Sequence, residues 1–137
     1  MAQVPRLPML TPPPQRSRVT LFAGLWLALF GARLWLVHRF GTDLPWWDAW
    51  DSEGAHLLTP WLQGALSPQL LFSPHNEHRV VPYRLVALAL FELNHRWSPL
   101  LHLSFNAAAS ATGLTALGVW VSRSLSARAR PWLTMML

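Results

Sequence analysis

The sequence predicts an all-α integral membrane protein with three spans, the start of a fourth, and a large loop after the first span that carries short juxtamembrane helices. Three observations predict it. Long apolar runs make 52% of the 137 residues hydrophobic while only 12% are charged, about half the charged share of a soluble domain. The charges gather at the edges of the apolar runs. The nine tryptophans include Trp35, Trp46 and Trp47, which suit an interfacial aromatic belt.

The formal charge of +5 comes from eleven arginines with no lysine. These arginines flank apolar segments instead of forming one basic face, so membrane edges explain them and no nucleic-acid partner is expected. The absence of cysteine excludes a disulfide framework, a thiolate zinc site and a thiol nucleophile.

Residues 1–18 hold five prolines and three arginines and read as a disordered flank. The apolar run that follows is long and lacks a small-x-small cleavage site, which favours a retained anchor over a cleaved signal. Val19 to Val37 is the first span, nineteen residues with one charge, Arg33; as a helix it reaches ~28 Å. Arg33 sits near the end of the run, where a long cationic side chain can snorkel to the interface or hold a ligand.

From Trp46 to Leu66 the apolar positions Trp47, Trp50, Leu57, Leu58, Trp61 and Leu62 fall mostly on one side of a helix that Pro60 interrupts. Two short amphipathic helices are expected there, Trp and Leu toward the membrane and carboxylates away from it. A further helix start is expected at Ser73-Pro74, serine as N-cap and proline at the first helical position. Residues 80–96 form the second expected span, which needs flanking residues to reach across, and residues 100–121 the third. His102, Asn106 and Ser110 recur at four-residue steps on that third helix and should face protein, and Ala109 with Gly113 supplies a small-xxx-small surface for partner helices. Residues 122–130 read as a basic connector and 131–137 as the apolar start of a fourth span. Arginine counts on the two sides of the spans do not decide the orientation.

The long polar interval, Gly41 to Tyr83, holds five of the six acidic residues and three of the six histidines. A carboxylate held at a membrane surface by an aromatic helix can act as general base toward a hydroxyl; Asp48 is the first candidate and Asp51 the second, against the ordinary reading of both as a solvated face. His75, Glu77 and His78, with Asp48, Asp51, Glu53 and His56 upstream, offer imidazole and carboxylate to a divalent metal. The run HNEH is nevertheless neither HExxH nor an EF-hand loop, so no metal or other cofactor is assigned. Arg33, Arg39, Arg79 and Arg84 fall at one membrane face and suit a lipid phosphate or pyrophosphate, with ordinary phospholipid headgroups as the alternative.

Taken together, the first span, WWDAWDSE, HNEHRVVPYRL leading into the next span, and LLHLSFNAAASATGLTALGVWV resemble the N-terminal part of bacterial GT-C-type membrane glycosyltransferases. The resemblance runs from about Val19 to Leu137. It implies a multi-pass protein of the bacterial inner membrane, with a cytoplasmic N-terminus, an extracytoplasmic first loop over 39–79, and a polyprenyl-phosphate sugar as donor. It puts the catalytic aspartate on Asp48 and a second acidic position on Glu77, with Asp51 beside them. Arg79 and Arg84 would meet the lipid phosphate; Arg33, His75 and His78 are the remaining substrate-binding candidates. Family members have many more spans, so the chain reads as a partial member, inactive alone or completed by helices of another chain. The alternative functions are a small membrane scaffold without catalysis and a metal-dependent hydrolase.

Overall fold

The computed structural model describes residues 15–78 and 80–134 of the chain, with side-chain surroundings from residue 16 to residue 125. In chain order it contains α1 (Gln15–Phe40), a π-helical segment (Trp50–Leu58) running directly into α2 (Thr59–Leu62), α3 (Pro68–Phe72), α4 (Val81–Asn94) and α5 (Pro99–Thr134). The described residues contain no strand, only an isolated antiparallel bridge between His75 and His78. The all-α expectation is met.

Among the described residues one helix, α1, is long and apolar enough to cross a membrane, by length and composition, and none of its apolar window is buried inside the chain. The other two expected spans differ for separate reasons. The second, expected over 80–96, is α4 with 14 residues, a reach of about 21 Å against a hydrocarbon core of about 30 Å. In the third, polar His102, Asn106 and Ser110 dilute the apolar half of α5. Helix α1 also begins before the apolar run and takes Arg16 and Arg18 out of the expected tail; residues 1–14 of that tail lie outside the described residues. At the other end the expected connector 122–130 is helical, because its Ser, Leu, Ala and Arg residues include no helix breaker before Pro131. Of the expected fourth-span start, 131–134 continue α5, and 135–137 lie outside the described residues.

The described chain divides into two compact units. In the first, α1 up to Phe30 is combined with α5 from Ala111 onward. Its polar contact is a hydrogen bond from the Trp26 indole N–H to Thr112 Oγ1 at 3.0 Å. The rings of Trp26 and Phe30 lie 4.8 Å apart and tilted by 31°, Ala111 is fully buried, and Gly118 faces Phe22. The small-residue surface expected for partner helices is left open: Ala109 is exposed, and nothing lies within 4 Å of where a Gly113 Cβ would stand.

The second unit spans Gly31–Ser110 and holds the loop. A Cβ at Gly41 would collide with the Val37 carbonyl and the Leu100 side chain, so only glycine permits the chain to leave α1 at that point. Asp43 then reaches the N-terminus of α5. Its Oδ1 accepts the Ser98 hydroxyl at 2.6 Å and the Leu100 amide at 3.4 Å, and its Oδ2 pairs with Arg96 at 3.2 Å. Ser98 in turn accepts the Leu101 N–H, so α5 is capped by its own serine and by an aspartate from a distant loop. The Ser98 hydroxyl foremost, then the Leu100 amide and Arg96, holds the Asp43 carboxyl below the usual aspartate range.

Within the loop, Pro60, which has no N–H to donate to the preceding turn, stands where π-helical winding changes to α-helical. Leu57 and Leu58 are buried as the amphipathic pattern requires. The carboxylates do not all point away, however, since Glu53 turns inward and is only 6% exposed. The helix start expected at Ser73-Pro74 occurs one Ser-Pro earlier. Ser67 is the N-cap of α3 and accepts the Leu70 amide at 3.2 Å, whereas Ser73 is its extended C-cap. Both dipeptides carry the same local signal; the buried guanidinium of Arg84, which collects the carbonyls of Leu70, Leu71 and Ser73, makes the second one a helix end.

Candidate functional site

Asp48 sits between two backbone irregularities. Trp47 just before it has φ of +39°, a left-handed conformation that is unusual for a bulky aromatic residue. Hydrogen bonds from Ala49 N–H to the Trp46 carbonyl (2.9 Å) and from Trp50 N–H to the Trp47 carbonyl (3.2 Å) hold it there. Just after it begins the nine-residue π-helix, a winding that is rare and frequent at functional sites. The Asp48 side chain is exposed and takes part in no hydrogen bond or ion pair among the described residues. Its backbone carbonyl accepts both the amide and the hydroxyl of Ser52, at 2.8 Å each.

Asp51 is drawn into a cluster. One oxygen stands 3.3 Å from His56 Nδ1 and the other 3.8 Å from His75 Nδ1, so the expected aspartate and one expected histidine do meet. His75 and His78 are joined by two backbone hydrogen bonds of 2.9 and 3.0 Å across a two-residue turn with Asn76 in the left-handed region. That turn leaves Glu77 and His78 exposed at its tip, and Glu77 has no recorded contact with Asp48 or Asp51 among the described residues. No group of three histidine or acidic side chains among the described residues is arranged to hold a metal ion.

The arginines part company. Arg33 is exposed on α1. Arg79 lies outside the described residues. Arg84 is 2% exposed, and its Nη1 donates to the carbonyls of Leu70 (2.8 Å), Leu71 (3.0 Å) and Ser73 (2.6 Å). One nitrogen of the fork is thus turned onto the backbone of the α3 corner, while the buried Nε has no hydrogen-bond partner among the described residues.

A second buried charged group in the unit, Glu53, is one that sequence reasoning passed over as a site centre. Glu53 Oε1 accepts the Tyr83 hydroxyl, and Oε2 accepts the Trp97 indole N–H at 2.9 Å. Trp97 lies against the π-helix, crossing Trp50 edge-on at 5.3 Å, with Gly54 leaving room for its ring. Tyr83 stacks on the imidazole of His102 at 4.6 Å. A cavity of about 430 Å³ opens beside these groups. Within Trp-Asp-Ser-Glu-Gly, Glu53 has no local mark to separate it from its solvated neighbours; its two donors come from residues 30 and 44 positions away.

No family model, curated protein or solved structure matches this chain.

Proposed function

We propose that the chain belongs to a membrane glycosyltransferase of the GT-C type that draws its sugar from a polyprenyl-phosphate donor, with Asp48 as the general base. The observation that carries this reading is the pair of irregularities around Asp48, a left-handed tryptophan before it and a π-helix after it. Strained backbone persists where the surroundings over-determine it and concentrates at active sites. The Asp48 carboxylate is exposed and unengaged among the described residues, as a base awaiting its substrate should be.

In this mechanism Asp48 takes the proton of an acceptor hydroxyl as its oxygen attacks the anomeric carbon. The bond from that carbon to the phosphate oxygen breaks, and polyprenyl phosphate leaves. Asp51, steadied by His56 and His75, holds charge beside the base. Arg33, Arg79 and His78 serve the phosphate end, since Arg84 is engaged by backbone carbonyls. Helix α1 anchors the site in the bilayer, and α4 and α5 adjoin further helices.

Two measurements test this. A photoactivatable polyprenyl-phosphate sugar should crosslink to the chain in membranes, well above a polyprenol control. In those membranes Asp48→Asn should keep the crosslink but lower sugar transfer by about 10²–10⁴-fold, the usual worth of a general base. Crosslinking no better than the control, or transfer unchanged in Asp48→Asn, overturns the reading.

The open surface at Ala109 and Gly113 favours a second reading, a scaffold that docks another helix. In that case Gly113→Leu should lower energy transfer between labelled copies in vesicles, while Asp48→Asn leaves it unchanged.

A further inference from the structure

The cavity beside Glu53 has two unlike parts. Its outer walls are apolar and include Phe40, Leu44, Trp46 and Leu103, of which the first three are more than two-thirds exposed. Its inner end carries Glu53, Tyr83 and His102. A volume of about 430 Å³ lies within the usual span of small-ligand sites, about 300–1,000 Å³.

The inner end is short of positive charge. Glu53 accepts hydrogen bonds at both oxygens but forms no ion pair among the described residues. Its two donors are neutral, and each carboxylate oxygen can accept more than one hydrogen bond. Arg96, which shares a small crevice with Glu53, pairs with Asp43 instead. Arg84 is held by the α3 carbonyls. A carboxylate only 6% exposed and lacking a counter-ion is costly and attracts one. His102 is 8% exposed, and its Nε2 has no hydrogen-bond partner among the described residues.

We propose that this cavity binds a membrane lipid whose headgroup carries a primary ammonium. The ammonium donates to the Glu53 carboxylate, a polar headgroup atom meets His102, and the acyl chain lies along Phe40, Leu44, Trp46 and Leu103. Two features select a lipid over a water-soluble amine. The exposed wall residues need an apolar cover, and Phe40 is the last residue of α1, the helix able to cross a membrane, so the cavity opens where acyl chains are at hand. A primary ammonium is selected over a trimethylammonium because only the former has N–H groups to give a carboxylate that already accepts two hydrogen bonds. This inference does not rest on the transferase reading and stands or falls without it.

The test is native mass spectrometry of the chain released from detergent with phosphatidylethanolamine, phosphatidylcholine or phosphatidylglycerol of matched acyl chains. Phosphatidylethanolamine should be retained about tenfold better than phosphatidylcholine, the worth of one charged hydrogen-bonded contact. Glu53→Gln should erase that preference. Leu103→Trp, which fills the cavity and leaves the Glu53 hydrogen bonds alone, should lower phosphatidylethanolamine retention by a similar factor and serves if Glu53→Gln does not fold. Phosphatidylglycerol, attracted by the net positive chain, should be retained equally by wild type and both variants. Phosphatidylcholine retained as well as phosphatidylethanolamine, or phosphatidylethanolamine retained unchanged in Leu103→Trp, overturns the proposal.

Discussion

Two buried charged side chains organise the second unit, and they are held in opposite ways. Arg84, at the α3 corner, is 2% exposed and bound to backbone carbonyls within four residues of one another. Glu53, on the π-helix, is 6% exposed and bound to side chains of two distant segments. Neither has a partner of opposite charge among the described residues. Arg84 closes a short stretch of backbone through Nη1, while its buried Nε has no hydrogen-bond partner among the described residues and it does not line the cavity that Glu53 borders. Burial and spare capacity alone therefore do not separate a structural charge from a binding one; access to a cavity does.

The comparison is broken most forcefully at Arg84. Arg84→Met removes a buried charged donor from three part-buried carbonyls at once and should cost about 3 kcal/mol. Thermal unfolding in detergent, followed by tryptophan fluorescence, should show the loss, together with faster proteolysis between Ser67 and Pro74. An unchanged midpoint would mean that the corner is held by something else. Glu53→Leu should cost less, about 1–3 kcal/mol, because it orphans only the Tyr83 hydroxyl and the Trp97 indole N–H. Tyr83 is 39% exposed, so water can replace part of what it loses. If Glu53→Leu proved more damaging than Arg84→Met in the same unfolding assay, the roles assigned to the two charges would be reversed.

Smaller changes sharpen the contrast. Ser67→Ala removes the α3 cap beside Arg84 and should cost about 1 kcal/mol, with a larger effect in the Arg84→Met background if cap and guanidinium hold one corner together. The smallest effect belongs to Asp43. Its carboxyl is held below the ordinary aspartate range, so its contribution is complete above that range and is lost as pH falls through the lowered folded value. Acid titration should loosen the Asp43 contact with Ser98 only below about pH 4, given the ordinary aspartate value. Asp43→Asn should remove that pH dependence, measured as the protection of the Leu100 amide from hydrogen exchange relative to its intrinsic rate at each pH. Protection lost already near neutral pH would assign the change to another group.

Several features could be read in the residues. The α1 run was plain because nineteen residues with one charge can hardly fold otherwise, and the burial of Leu57 and Leu58 followed from spacing; the break expected at Pro60 is a change of winding within one continuous helical run. Other features could not. Ser67-Pro68 and Ser73-Pro74 have the same local chemistry, and which of them opens a helix depends on Arg84, more than ten residues downstream. The π winding has no compositional mark in Trp-Asp-Ser-Glu-Gly-Ala-His-Leu-Leu. Asp48 and Asp51, chosen from their aromatic context, ended in different surroundings: Asp48 unengaged, Asp51 beside His56 and His75.

The sequence by itself determined that the described chain is helical, where the helix able to cross a membrane runs, and that most of its acids and half of its imidazoles lie in one interval. These follow from hydrophobic patterning and from proline and serine acting on their immediate neighbours. Only the tertiary structure decided that Glu53 turns inward, that Arg84 serves backbone carbonyls, and that Asp43 caps a helix 55 residues away. The reason is physical. The cost of burying a charge depends on the donors and acceptors brought to it, and those arrive from parts of the chain that local pattern cannot connect.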